Sequence, residues 1–351
     1  MEPIRLLDPD GRHTPDEEWP LEVTAELCLD LHRRMRLARA FDDEALALQR
    51  QGELGLWLQS LGQEAAQVGS VTALRPTDHV FPSYREHAAG LCRGITPAEL
   101  LVQWRGHAQS GWDPARYRFH VYTLVLAAQL PHATGYAMGV QRDGTDEIVA
   151  AYFGDGAASE GEANEAFNWA AAMTVPLLFF CQNNQWAIST PTALQMRTPL
   201  YQRARGFGLD AHVVDGNDVL AVHAVTRKVA AQVRNGGGPA LVEALTYRMG
   251  GHSTSDDPTR YRSASELDGW RARDPIVRLA ALLDREGWLD ETAGAELDTE
   301  CRDLAADTRK VCRELPLADI DELFGTVLAA ETPLLAAQRR GYAELVESFE
   351  D

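Results

Sequence analysis

The chain has 351 residues, of which 45% are apolar and 24% charged, a composition that suits one large globular domain or two modest ones. Its net charge of −19 repels phosphate backbones and argues against nucleic acid as a partner, although backbone dipoles can still hold a small diphosphate on an acidic protein. No apolar run approaches the ~20 residues a membrane span needs, and the acidic, Pro-rich start lacks the apolar core of a signal peptide, so a cytoplasmic protein is expected.

Residues 1–22 read as a partly ordered arm. Beyond them Leu27, Leu31, Met35, Ala38, Phe41, Ala45 and Leu48 recur in steps of three and four, which predicts a long amphipathic helix over 24–50, ended by Gly52. A second helix is expected over 63–74, stopped before Pro76. The stretch HVFPSYREHAAGLCRG runs from a short strand through a loop into a helix start, and Thr96 followed by Pro97 reads as a helix N-cap with Pro at the first position.

The middle of the chain alternates. Apolar strands are expected over 147–153, 176–181, 211–214 and 239–245. A helix over 162–173 separates the first two, and a helix with Val222, Val225, Val229 and Val233 on one face follows the third. Continuous apolar strands between helices predict a doubly wound, mostly parallel α/β sheet with helices on both faces. The three glycines at 236–238 read as a turn. From Pro275 onward the pattern is helical and acidic. The expected organisation is therefore the arm at 1–22, an α/β domain at 23–275 and a helical extension at 276–351, packed on the same domain or on a partner. The five cysteines (Cys28, Cys92, Cys181, Cys301, Cys312) have no CxxC pairing, so reduced, structural thiols are expected rather than disulfides or zinc.

Ligands of a doubly wound sheet sit outside the carboxyl ends of its strands. Two such ends carry polar residues here, Gly154-Asp155-Gly156 and Asn183-Asn184. Between Gly156 and Asn183 lie 26 residues, room for one helix and a return strand, so Asp155 and Asn184 should fall at neighbouring strand ends. A carboxylate and an amide oxygen are hard ligands suited to Mg²⁺ shared with a phosphate. Gly156 leaves space for a diphosphate near the backbone, and the following helix offers N–H groups to it. Alone, Gly-Asp-Gly is an ordinary turn; the pair at this spacing points to a metal and phosphate site.

The wider text, YFGDGAASEGEANEAFNWAA followed by FFCQNNQWAISTPT, resembles the α subunits of the thiamine-dependent 2-oxoacid dehydrogenases, the decarboxylating first components of the pyruvate and branched-chain complexes. The resemblance runs over roughly residues 30–345 and implies a thiamine-diphosphate-binding fold. It implies Asp155, Asn184 and the Trp186 carbonyl as Mg²⁺ ligands, and Gly154, Gly156 and Ala157 as contacts to the diphosphate. Tyr84 and Arg85, in PSYREH, match a Tyr-Arg pair on the cofactor, and an Arg fork suits phosphate. Leu126 matches a residue whose backbone meets the aminopyrimidine, and Ile188 joins the cofactor contacts. His252, in YRMGGHSTSDDPTRYRS, matches a catalytic His beside the diphosphate, on what reads as a mobile loop; an imidazole there can shuttle protons. Ser253 and Ser263 match positions phosphorylated in animal relatives and are read here as plain loop serines.

The Glu that activates the aminopyrimidine has no equivalent in this chain. In two-subunit relatives it comes from a β subunit, so an α₂β₂ heterotetramer is implied, with cofactors at α–β interfaces. The implied reaction is oxidative decarboxylation of a 2-oxoacid, with acyl transfer to lipoyl-lysine on the lipoyl domain of an acyltransferase core. WAISTPTALQ and GGHSTSDDPTRYRS look closer to branched-chain relatives, whereas GHAQSGWDPARYRFH is shorter than the matching segment of many relatives and lacks its GRQMPxH-like run. Ala128 stands where a branched-chain potassium site has Thr, beside Thr123 and Gln129, so no potassium is expected, and Gln182 replaces a frequent Arg. Pyruvate or acetoin is the alternative substrate. A catalytically silent scaffold homologue is an alternative of another class. A phosphohydrolase with Asp155 as nucleophile would need a second acidic ligand that no convincing position supplies.

Overall fold

The computed structural model describes residues 2–326 and 328–349. Among the described residues there are seven short strands: β1 (His79–Phe81), β2 (Val149–Gly154), β3 (Leu177–Asn183), β4 (Trp186–Ala187), β5 (Thr190–Pro191), β6 (Asp210–Asp215) and β7 (Ala240–Leu245). Five of them make one parallel sheet in the order β1-β2-β3-β7-β6; β4 and β5 form a separate antiparallel pair. The sheet is thus the expected doubly wound α/β architecture.

Alternation along the strands builds two cores. Ala150, Tyr152, Leu178, Phe180 and Val242 turn to one face and pack with the helices Ala25–Arg50, Glu64–Ala73 and Val219–Gln232. Val149, Ala151, Phe153, Leu177 and Phe179 turn to the other, with the helices Gln129–Asp143, Gly161–Met173 and Leu200–Gly206. Full burial of one such large apolar side chain is worth about 1.5–3 kcal/mol, and both faces are filled, as a parallel sheet requires.

The first two helices start and stop within about a residue of the expected limits, and Thr96 caps its helix with a capping box to Glu99. The Gln129–Asp143 helix was not expected. Pro131, Gly135 and Gly139 break its pattern, yet Leu130, Ala133, Thr134, Ala137 and Val140 keep a buried stripe. A Cβ on Gly135 or Gly139 would meet nothing within 4 Å, so these glycines lie on the outer side of the helix.

The arm is packed, not partly ordered. Ile4 pairs with β6, its N–H donating to the Val213 carbonyl at 2.9 Å. The Leu6 and Leu7 amides donate to Asp218 Oδ2 at 2.7 and 2.6 Å, and both side chains are buried. Asp218 Oδ1 meanwhile caps the Val219–Gln232 helix through the Leu220 and Ala221 amides. An apolar pair beside a cap with a spare oxygen explains the docking. After Pro275 the helix Glu291–Glu314 lies along Ala25–Arg50, tied by Arg36–Asp298 and Arg33–Glu300 pairs. Ile320–Gly325 and Pro333–Glu347 pack on each other and join the body where His107 and the Ala108 amide meet Glu322. All five cysteines are unpaired. Among the described residues no helix is long and apolar enough to cross a membrane.

Below the sheet's carboxyl edge, His87 is buried and stacked on Trp57, its ring nitrogens paired with the Tyr122 hydroxyl and the Leu58 carbonyl. Burial pushes its pKa from 6.5 down to about 3. A depressed His contributes stability that is whole above pH 6.5 and is lost as pH falls toward 3. His87→Gln should therefore flatten the pH dependence of the unfolding free energy between pH 6.5 and 4, an effect of a few kcal/mol at the acid end. Urea unfolding across that range checks it; an unchanged slope refutes it.

Candidate active site

Gly154 pairs with Gln182, so β2 and β3 end side by side and release Asp155 and Asn184 at the same edge. Gly156 follows, and a Cβ there would stand 2.8 Å from the Ala187 Cβ. The close approach of the Gly-Asp-Gly turn to β4 is what demands glycine at 156. Past Asn184, Gln185 (φ 74°) and Ile188 (φ 54°) adopt left-handed backbone, at a cost of roughly 1–2 kcal/mol each. Arg248 offsets part of it, donating from Nη2 to the Ile188 carbonyl at 2.7 Å and from Nη1 to the Trp186 carbonyl at 3.1 Å.

All eleven expected site residues, namely Tyr84, Arg85, Leu126, Gly154, Asp155, Gly156, Ala157, Asn184, Trp186, Ile188 and His252, line one cavity of about 540 Å³. Ser253, Thr123, Gln129 and Gln182 line it too. Ser263 does not; its hydroxyl caps the Ala264–Arg271 helix by accepting from the Glu266 amide.

Asp155 is 1% exposed, and its Oδ2 accepts from Thr192 Oγ1 at 2.8 Å and Gln195 Nε2 at 3.0 Å. Burial raises its pKa; these two donors oppose the rise. Asn184 Nδ2 donates to Gln63 Oε1 at 3.1 Å, which fixes the amide so that Oδ1 accepts from the Trp186 amide at 3.3 Å and keeps a second lone pair for a ligand. Arg85 is buried and anchored by Nη1 on the Gln59 carbonyl at 2.6 Å and Nη2 on the His252 carbonyl at 2.8 Å.

His252 sits on a loop that is tied down, against the expectation of a mobile one. Its amide donates to Asp256 Oδ2 at 2.6 Å, and the Tyr261 hydroxyl donates to the same oxygen while accepting from Arg248 Nη2. His252 Nδ1 lies 3.4 Å from both Arg85 Nη2 and Arg248 Nη1. Facing two guanidinium donors, Nδ1 is the acceptor, and Nε2 carries the proton. Burial, then Arg85 and Arg248, lower its pKa to about 4 against the opposing charge of Asp256, so the ring is neutral at physiological pH.

Arg248 escaped the sequence reading. Its signal was a cation three residues past the apolar strand that ends at Leu245, at the edge where ligands bind. Glu86 escaped too. It is buried on the cavity wall, accepting from Ser83 Oγ, the Arg85 amide and Gln182 Nε2, and burial raises its pKa.

Five buried polar atoms on this lining have no protein partner: Gln63 Nε2, Gln129 Oε1, Gln182 Oε1, Gln195 Oε1 and Arg248 Nε. Unpaired buried polar atoms are costly unless a ligand or water meets them. Two buried guanidiniums, a carboxylate and an amide oxygen on one wall, with Leu56, Leu58 and Leu126 on the lining as well, fit a molecule with a charged end and an apolar end. No group of three or more His, Cys, Asp or Glu suited to a metal occurs among the described residues, so a cation here would rest on the carboxylate, amide and carbonyl set.

A parallel sheet with a guanidinium-lined cavity at its carboxyl edge is the frame of a cofactor-dependent α/β enzyme, and the chain belongs to the dehydrogenase E1 component family, whose model matches residues 32–320. Membership implies thiamine diphosphate as cofactor. The chain is similar to the 3-methyl-2-oxobutanoate dehydrogenase subunit alpha of Mycobacterium tuberculosis, 42% identical over 340 residues, 97% of this chain and 93% of the relative. It is also similar to the mitochondrial 2-oxoisovalerate dehydrogenase subunit alpha of Homo sapiens, 34% identical over 356 residues, 98% of this chain and 80% of that protein. Subunit alpha 2 of the mitochondrial 2-oxoisovalerate dehydrogenase of Arabidopsis thaliana is 34% identical over 334 residues, 92% and 71% of the two chains.

Proposed function

We propose that this chain is the α subunit of a branched-chain 2-oxoacid dehydrogenase, holding the Mg²⁺ and diphosphate end of thiamine diphosphate. The observation that carries the reading is the convergence of eleven expected residues on one cavity with unpaired polar atoms. Asp155, Asn184 Oδ1 and the Trp186 carbonyl would hold Mg²⁺; the carbonyl keeps a second lone pair beside its bond to Arg248. Arg85 and Arg248 supply the positive charge that a diphosphate needs on so acidic a protein. Bound thiamine diphosphate supplies carbanion chemistry that no side chain provides. His252 can donate a hydrogen bond from Nε2–H while neutral, and would act as a proton donor once the anionic diphosphate beside it favours the imidazolium, during decarboxylation and acyl transfer to lipoyl-lysine. The aliphatic lining at Leu56 and Leu58 favours a branched acyl side chain over that of pyruvate.

Glu86 does not replace the activating Glu, because its oxygens are taken by Ser83, Arg85 and Gln182. The activating carboxylate is therefore assigned to a β subunit, in an α₂β₂ assembly that serves the lipoyl domain of an acyltransferase core in the cytoplasm. Leu124 and Val125, 49% and 72% exposed beside the cavity, give that subunit an apolar seat. We divide the chain into the arm at 1–22, the cofactor domain at 23–275 and the helical extension at 276–351. Steady-state rates on the complex reconstituted with its β partner test the reading. 3-Methyl-2-oxobutanoate should exceed pyruvate in kcat/KM by at least about tenfold, and the isolated chain should show no turnover. Full turnover without a partner would sink the half-site assignment.

A further inference from the structure

Three polar side chains point from the same face of β2, β3 and β7 at their carboxyl ends. Asp155 follows β2, Asn183 closes β3, and Glu243 lies on β7, opposite Cys181 in the β3–β7 register. Leu241, one pleat earlier on β7, is part of the apolar core on this face, so a third hydrophobic residue would satisfy packing. Glu243 instead buries a carboxylate that is 4% exposed, which is costly unless both oxygens are engaged. They are: Oε1 accepts from Asn183 Nδ2 at 2.7 Å and Oε2 from the Tyr201 amide at 3.2 Å.

A carboxylate only accepts, so it dictates which way the Asn183 amide lies: nitrogen toward Glu243, oxygen toward the loop that follows β3. Asn183 Oδ1 accepts from the Gln185 amide at 3.2 Å and lies 3.2 Å from Thr192 Oγ1, whose nearer acceptor is Asp155 Oδ2 at 2.8 Å. The Thr192 amide in turn donates to the Gln185 carbonyl at 3.1 Å. Gln185 and Thr192 bracket the segment that carries Trp186. The chain of contacts thus reaches both the carboxylate and the carbonyl of the cation site.

We propose that Glu243 is a positioning residue for the Mg²⁺ site, acting through Asn183 and Thr192 on Asp155 and on the loop bearing Trp186. The inference rests on the Mg²⁺ role assigned to Asp155 above. Loss of such an outer partner characteristically weakens metal binding by 10- to 100-fold. Glu243→Gln can no longer dictate the Asn183 orientation, and Thr192→Val keeps shape but removes the hydroxyl.

The test is a Mg²⁺ titration of the complex with its β subunit at fixed thiamine diphosphate, followed by calorimetry. Both variants should raise the Mg²⁺ Kd by about 10- to 100-fold, while cofactor affinity at saturating Mg²⁺ and Tm in EDTA stay near wild type. Thr192→Ser should restore Mg²⁺ affinity to within about threefold. If Glu243→Gln fails to fold, the Thr192→Val and Thr192→Ser pair decides. Unchanged Mg²⁺ affinity in the variants, with Asp155→Ala abolishing it, overturns the role of Glu243 and leaves the cofactor site standing. Unchanged affinity in Asp155→Ala as well overturns the site itself.

Discussion

Asp155→Ala is expected to lower the Mg²⁺-dependent affinity for thiamine diphosphate by about a thousandfold or more, with the fold intact. The size follows from the ligand set. Asn184 and the Trp186 carbonyl are neutral, so Asp155 is the one anionic ligand among the three proposed, and a hard dication binds weakly to amide and carbonyl oxygens without it. Removing it also leaves the diphosphate facing the protein without its counter-ion. Folding should not suffer in step. Burial alone disfavours the charged carboxylate and raises its pKa, so its loss relieves a desolvation cost while stranding one hydrogen bond each from Thr192 and Gln195. Calorimetry of the complex with the β subunit, with and without Mg²⁺, reads the first effect and urea unfolding the second. Cofactor binding within tenfold of wild type would remove Asp155 from the metal site.

His252→Ala should separate chemistry from binding. A general acid or base contributes about 10²- to 10⁴-fold, so kcat for the lipoyl-dependent reaction should fall by that range. The cofactor Kd should move only a few-fold, because Arg85 keeps its anchor on the Gln59 carbonyl and on the backbone carbonyl of residue 252, both of which the substitution spares. Burial disfavours a charged imidazole, Arg85 and Arg248 would repel it, and for these reasons the ring is neutral before the cofactor binds. An anionic diphosphate held beside it, as proposed, would raise its pKa toward neutrality, where an acid–base group works best. Stopped-flow decarboxylation together with a cofactor titration checks the split. A kcat within threefold of wild type would make His252 a mere lining residue.

Much of the sheet was legible because its strands are nearly unbroken apolar runs, which only a structure covered on both faces tolerates. The pair Asp155 and Asn184 was legible for the same reason, since two buried strands one helix apart must end side by side. Arg248 was not, because a single cation after a strand looks like any surface Arg until the loop at 184–192 folds over it. Glu243 was hidden inside an apolar strand, where only the three-strand juxtaposition gives it meaning. The Gln129–Asp143 helix was obscured by Pro131 and two glycines whose effect depends on which side of the helix they occupy. Tyr84, Leu126 and Ile188 came from family resemblance; no local physical rule marked them.

The arm has a consequence for solubility. β6 is an outer strand of the sheet, and the arm gives it a partner where the Ile4 amide and carbonyl meet Val213 and Asp215. An uncovered edge strand offers its free amides and carbonyls to any other chain and templates edge-to-edge aggregation. Residues 2–7 act as an intramolecular guard rail, held in place by the Asp218 cap they share with a core helix.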